Sequence, residues 1–136
     1  MAITCEDSNR DALDAFGQFL MREVRDATIE RYDRVFAGQM KDNFLAPALD
    51  EVLPTLDESQ RAFVDVLVSE VVTNTLAKLL WATEQTKVVN VLVTTQGGDV
   101  NVRKASDGLE GELWGKYGWI KKYSTKRASG YSLGED

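Results

Sequence analysis

The chain has 136 residues, of which 43% are hydrophobic and 28% are charged, and its formal net charge at pH 7 is −6. These values are typical of one soluble globular domain, and the acidic balance disfavours nucleic acid as a partner, since nucleic-acid affinity depends mainly on cation density. The sequence contains no histidine and a single cysteine, Cys5. This excludes an intramolecular disulfide, a Ser-His-Asp triad and zinc sites built from histidines or several thiolates.

The N-terminal residues predict neither a secretory signal nor a membrane span. Residues 1–16 lack a basic segment followed by an apolar run, and an apolar stretch of roughly 18 residues, as a span requires, is missing from the sequence. A chain of this size without disulfides fits a reducing compartment, so we expect a cytoplasmic protein. Cys5 is expected to be inert, because the chain has no histidine to activate its thiol.

The first predicted element is a long amphipathic helix from about Asn9 to Gln39. Apolar residues recur at helical spacing between Leu13 and Phe36, which predicts one buried stripe along the helix. Gly38 suits the end of this helix, because glycine readily adopts the left-handed conformation that often follows the last helical turn.

A short helix and a second long helix are predicted next. Pro47 is tolerated in the first turn of a short helix covering about 46–53. The sequence Thr55-Leu-Asp-Glu58 is typical of a capping box, and it opens a helix that extends to about Thr86. Apolar residues cover most of the circumference, so we expect this helix to be the central and most buried one. Its middle carries Leu67, Val71 and Leu76.

After Lys87 the hydrophobic period changes from helical to two, which indicates strands. The segments 89–93 and 100–103 alternate apolar and polar residues on either side of Gly97-Gly98-Asp99, a pattern typical of a β-hairpin. A hairpin alone is only marginally stable. We therefore expect a third strand within Leu113–Tyr123.

The predicted fold class is α+β, with the helices first in sequence. Two long helices and a short one are expected to pack on one face of a small antiparallel β-meander of about three strands. Residues 1–123 form a single predicted domain. Residues 124–136 show no apolar period and are expected to form a flexible C-terminal tail.

Four carboxylates form the strongest constellation of the first helix. Their 3-4-3 spacing places Glu23, Asp26, Glu30 and Asp33 along one predicted face, here called the acidic ridge. We interpret the ridge as solvated, with partner binding and the binding of Mg²⁺ or Mn²⁺ as alternatives. The doubled Glu-x-x-Asp resembles the acidic helices of all-α nucleotide pyrophosphatases, which would imply a metal-dependent hydrolase. In that family the carboxylates converge from different helices, whereas consecutive groups in one line cannot surround an ion, so no tight metal site is predicted.

A polar stripe on the second long helix consists of Glu70, Asn74 and Lys78, at i, i+4 and i+8. A buried Glu–Lys pair with shifted pKa values would be a catalytic candidate. We favour the simpler interpretation that the stripe is the one solvated edge of an otherwise apolar helix.

The segment 114–127 concentrates aromatic and basic residues, and its partner-binding candidates are Trp114, Tyr117, Trp119 and Tyr123. Rings among lysines suit three roles: a core strand protected by lysines, a protein interface, or a single-strand nucleic-acid binder. We favour the core strand, and the negative net charge makes nucleic acid the least expected of the three.

Charge is divided unequally along the chain. Residues 1–86 contain 16 acidic and 8 basic residues, whereas residues 87–136 contain 6 acidic and 8 basic ones. Such polarity can steer a charged partner. In size, charge and lack of catalytic residues the chain is similar to small acidic cytosolic inhibitors of bacteria, such as immunity proteins. That likeness is one of general character and involves no shared motif.

The predicted function is therefore a non-catalytic protein-binding module, an inhibitor of the immunity-protein type that blocks a basic cleft of another protein. Its contact surface would be the acidic ridge or the aromatic segment. Two alternatives remain open: the metal-dependent hydrolase that uses the ridge, and an oligomeric scaffold or small-ligand carrier. No cofactor is predicted, and a homo-oligomer is compatible with the sequence.

Overall fold

The computed structural model describes residues 4–39 and 47–127, and in this part of the chain the helices come before a short β-hairpin. The first helical stretch runs without interruption but changes type in the middle. Its three parts are α1 (Cys5–Phe19), a π-helical segment (Leu20–Asp26), here called the π segment, and α2 (Ala27–Phe36). The stretch covers most of the predicted first helix, whereas the π segment has no counterpart in the sequence prediction.

Local signals set both ends of this stretch. The Thr4 hydroxyl accepts a hydrogen bond from the Asp7 amide over 3.1 Å and so satisfies one of the free donors of the first turn. After the last turn Gly38 takes a φ of +72°, which glycine adopts without the strain that a side chain would cause. The predicted glycine stop is therefore confirmed.

A short helix, α3 (Pro47–Val52), and a 3₁₀ turn (Leu53–Thr55) lead into α4 (Glu58–Gln85), a helix of 28 residues. A capping box opens α4, two residues later than predicted. The Asp57 side chain accepts a hydrogen bond from the Gln60 amide over 2.8 Å, and the Gln60 side-chain oxygen accepts one from the Asp57 amide over 2.9 Å. The predicted cap residue is instead the last residue of the 3₁₀ turn.

Two strands, β1 (Leu92–Thr95) and β2 (Gly98–Asn101), form the predicted hairpin and pair antiparallel. Gly98 provides the positive φ, +109°, that a tight hairpin turn requires. A short helix, α5 (Val102–Ala105), follows β2 directly. Within the described residues the sheet has two strands. The predicted hairpin is therefore present, and the prediction of a third strand is wrong.

The segment predicted as the third strand, Leu113–Tyr123, is helical where it has regular structure. A 3₁₀ turn (Glu110–Leu113) is followed by α6 (Trp119–Tyr123). Trp119 and its neighbour Ile120 are both buried. A strand with one solvated face cannot bury both, because successive side chains of a strand point to opposite faces.

The core lies between the first helical stretch, the second half of α4 and the turns that follow the hairpin. The helix α1 contacts the hairpin, α5 and α6, while α4 contacts the π segment, α2 and the 3₁₀ turn before α6. The fully buried apolar side chains include Met21, Ile29, Leu80, Val102, Leu109, Leu113 and Ile120. Complete burial of one such large side chain stabilises a fold by roughly 1.5–3 kcal/mol relative to exposure.

The helix α4 is buried on one side only. Its buried residues all lie within the stretch 69–83. Leu67 and Val71, which lie in the middle of this helix and were expected to be buried, are both about half exposed, whereas Leu76 is buried as predicted. The prediction of a helix buried on most of its circumference is therefore wrong, because apolar composition does not reveal which sides of a helix have neighbours.

Candidate protein-binding face

The acidic ridge does not form one solvated face. Glu23 and Glu30 are exposed, whereas Asp26 is only 7% exposed and Asp33 is half-buried. The π segment contributes to this difference, because its hydrogen bonds span five residues instead of four and its side chains depart from the α-helical spacing. The four predicted partner-binding carboxylates are therefore divided into two that face solvent and two that contact other parts of the chain.

Asp26 and its neighbour Arg25 hold the segment that follows α6. Asp26 accepts hydrogen bonds from the Ser124 hydroxyl over 2.6 Å and from the Thr125 amide over 2.7 Å. The Arg25 side chain has no exposed surface, and it donates to the Thr73 hydroxyl on α4 over 3.1 Å and to Asp26 over 3.1 Å. We call Arg25, Asp26, Thr73, Ser124 and Thr125 the Arg25 cluster.

The Arg25 cluster satisfies charges that would otherwise be costly to bury. Arg25 also donates to the backbone carbonyls of Lys126 and Arg127, over 2.5 and 3.1 Å. A buried ion costs several kcal/mol unless it is paired and its remaining donors have acceptors, and residues 124–127 supply many of those acceptors. The rest of the predicted flexible tail, residues 128–136, lies outside the described residues.

Arg127 extends this contact to α2 and α4. It forms an ion pair with Asp33 and lies 3.9 Å from a carboxylate oxygen of Asp65. Its guanidinium also donates to the Ser69 hydroxyl over 3.3 Å. Asp33 thus has a cation within its own chain, and Glu23 and Glu30 are the carboxylates of the ridge that face solvent.

Trp119 is a core residue. It is 3% exposed and makes an edge-to-face contact with Phe16, with a distance of 5.8 Å between the ring centroids. Its indole lies against Gly17, where an added Cβ atom would come within 2.5 Å of the ring. The favoured core role is confirmed for Trp119, although it lies in a helix and not in a strand.

The other aromatic candidates lie in different environments. Tyr117 is largely exposed, and Trp114 is partly buried against the core. Tyr123 is also partly buried, and its hydroxyl donates to Asp14 on α1 over 3.2 Å. The four aromatic residues therefore do not form the single binding surface that their spacing in the sequence suggests.

A row of exposed side chains runs along α4 next to the side that carries its buried residues. Large apolar side chains exposed next to one another mark contacts with proteins or membranes, whereas single ones carry no such meaning. The row alternates these apolar residues with the predicted polar stripe. The outer face of α4 consists of Phe63, Leu67, Glu70, Val71, Asn74, Lys78 and Trp81.

Sequence reasoning missed this face although a signal for it was present. The polar stripe Glu70, Asn74 and Lys78 is exposed, as predicted. Residues three, four or seven positions apart lie on the same side of a helix, and Leu67 and Val71 stand in these relations to Asn74. The exposed stripe therefore indicated that the apolar side chains on the Leu67 side of it are exposed as well.

An apolar groove adjoins the outer face, between the first helical stretch and α4. Its volume is about 420 Å³, with Val24 and Tyr32 on one side and Val68 on the other. Leu67 and Val71 line both this groove and the surface along the outer face. Groove and outer face together make one continuous, mainly apolar surface.

Within residues 4–39 and 47–127, no three carboxylate or thiol side chains lie close enough together to hold a metal ion. In the same part of the chain, no helix combines the length and the apolar character needed to cross a membrane. Comparison with protein-family models, with curated proteins and with solved structures gave no match. A function is therefore inferred from the geometry of the chain itself.

Proposed function

We propose that this chain is a non-catalytic protein-binding module that contacts its partner through the outer face of α4. The observation that carries the proposal is the row of exposed apolar side chains on that face, from Phe63 at 66% exposure to Trp81 at 42%. Covering apolar surface contributes about 25 cal/mol per Å² removed from water. A partner that covers this row therefore gains affinity that a solvated, polar helix would not provide.

The arrangement of residues on the outer face supports a protein partner. Aromatic side chains such as Phe63 and Trp81 carry much of the binding energy at protein interfaces, and polar residues surround them there. The Lys78 ammonium lies 3.8 Å from the centroid of the Trp81 ring, a cation–π contact that stabilises this position of the ring by about 0.5–1 kcal/mol. Because these side chains project from one regular helix, little backbone ordering is needed on binding.

The narrower hypothesis, that the chain is an acidic inhibitor, also requires negatively charged side chains that face the partner. Glu23 and Glu30 are the solvent-facing carboxylates that would meet a basic cleft. Exposed charges at the rim of an interface act mainly on the association rate, and salt reduces their effect. In this hypothesis the outer face provides the affinity, and the two carboxylates provide steering.

The groove between the first helical stretch and α4 favours a second candidate function, the binding of a small apolar ligand. Its volume lies within the range of small-molecule sites. Thr28, Tyr32 and Thr75 are the lining residues that carry hydroxyl groups, which would orient a ligand with one polar end. This is the small-ligand carrier among the alternatives raised by the sequence.

A capture experiment with tagged baits tests the proposed function. The baits are the wild-type chain, Leu67→Asp on the outer face, and Val88→Asp as a matched control, since Val88 is 90% exposed and lies outside α4. We expect Leu67→Asp to lose partners, including a differently tagged copy of the chain, that the other two baits retain. Melting temperatures of the three chains must agree for the comparison to hold. Equal recovery by all three baits would reject the outer face as a binding surface.

A further inference from the structure

The charges on the outer face change sign about its centre. Glu70 lies four residues before Asn74 and Lys78 lies four residues after it, so both are about 6 Å from Asn74 along the helix axis. An acidic, a neutral and a basic position thus follow one another at equal intervals. A surface with this order is complementary to itself when one of two copies is reversed.

We propose that the partner of the outer face is a second copy of this chain, whose α4 packs antiparallel to the first about a two-fold axis at Asn74. The proposal rests on the proposed function, because it assigns the occupant of the same face. In this arrangement Glu70 of each copy lies level with Lys78 of the other, so two oppositely charged pairs form. A parallel arrangement would place Glu70 beside Glu70 and Lys78 beside Lys78, which is unfavourable.

Apolar residues of the outer face are also placed symmetrically about the two-fold axis at Asn74. Leu67 lies seven residues before Asn74 and Trp81 lies seven residues after it, so the axis at Asn74 sets Leu67 of one copy level with Trp81 of the other. A spacing of seven residues is that of the seam along which two helices pack, and polar residues within such a seam fix its register. Asn74 has this role at the axis, where its side-chain amide also donates to the Glu70 carboxylate of its own chain over 3.3 Å.

The length of α4 suits such pairing. Its 28 residues span about 42 Å, whereas its buried side chains begin only at Ser69. The first part of the helix therefore presents Phe63 and Leu67 to solvent in the described structure. A symmetric dimer uses the same patch on both copies, so one exposed row of side chains is sufficient to build the whole interface.

Charge reversal tests the pairing and its direction. Sedimentation equilibrium should show a dimer for the wild-type chain. Glu70→Lys alone or Lys78→Glu alone creates two like-charged pairs in the homodimer, and each should raise the dissociation constant by about tenfold, as the loss of two exposed pairs implies. An equimolar mixture of the two single variants should dimerise like the wild type, because each chain then complements the other. The mixture also shows that both variants are folded.

Each other outcome bears on the proposal directly. A wild-type chain that stays monomeric up to about 100 μM overturns it, since the free energy of dimerisation is then too small for a specific dimer. If such a monomer still captures another protein through Leu67, the proposed function survives and the second copy is rejected as occupant. A dimer that both single variants retain at full strength rejects the antiparallel register. A dimer that Leu67→Asp retains rejects the outer face as its interface.

Discussion

The Arg25 cluster and the outer face of α4 invert the usual distribution of polar and apolar side chains. Arg25, a cation, has no exposed surface, whereas Leu67 and Val71 are about half exposed. Both regions involve α4, since Thr73 on its inner side contacts Arg25 and the outer face points away. In this chain a side chain is therefore buried where other residues are placed to contact it, whether it is polar or apolar. The donors of Arg25 have acceptors, while no described part of the chain covers the outer face.

Arg25→Ala is expected to have the largest effect, and it tests the polar half of the comparison. Removal of the guanidinium leaves Asp26 buried without its cation, and breaking a buried pair in this way costs about 3–5 kcal/mol of the free energy of unfolding. Urea denaturation measures the change. Arg22→Ala is the control on the same helical stretch, because Arg22 is exposed, donates to the Gln18 side chain and has its guanidinium 5.9 Å from the Tyr123 ring centroid, with no buried ion pair to lose. Equal losses in the two variants would mean that burial adds nothing to the Arg25 interactions.

The second test compares two neighbouring leucines on α4. Leu80 is 1% exposed and belongs to the core, whereas Leu79 is 52% exposed. Leu80→Ala should lower the free energy of unfolding by about 2–5 kcal/mol through lost transfer energy and a cavity. Leu79→Ala should change it by no more than about 0.5 kcal/mol, as is usual for surface positions. Thermal or denaturant melts that ranked the two variants in the opposite order would contradict the orientation of α4.

A smaller effect is expected from adding one methyl group beside the core. Glycine to alanine within a helix normally stabilises by up to about 1 kcal/mol. Gly17→Ala should reverse that sign and cost about 1–3 kcal/mol, because the new Cβ atom would clash with the Trp119 indole. Gly111→Ala is the control, since no atom lies within 4 Å of the corresponding Cβ position there. A Gly17→Ala variant as stable as the wild type would show that Trp119 is not packed as described.

Features that depend on neighbouring residues could be predicted from the sequence. The glycine at the end of the first helical stretch and the hairpin turn at Gly98 both follow from local backbone preferences. The exposure of Glu70, Asn74 and Lys78 followed from their helical spacing. These predictions held because no distant residue had to be known.

Features that depend on distant contacts could not be predicted in this way. Asp26 is buried by Ser124 and Thr125, about a hundred positions further along the chain, and no local pattern distinguishes it from Glu23 or Glu30. The same holds for Leu67, because helical periodicity does not reveal whether an apolar side of α4 faces the core or solvent. Of the candidate site, only the exposure of its polar residues could therefore be predicted from the sequence.

The number of residues in the π segment has a consequence for insertions and deletions. A π turn holds one residue more than an α turn, so deletion of one residue from Leu20–Asp26 would allow a uniform α-helix. An α-helix turns by about 100° per residue and a π turn by less, so the shorter segment would carry α2 through nearly the same total angle. Ile29 and Val35, which are both buried, would therefore keep their side of the helix. Deletion of one residue within α2 itself would instead rotate the residues after it by roughly 100°. The π segment is thus where the first helical stretch can lose a residue and still present the same side of α2 to α4.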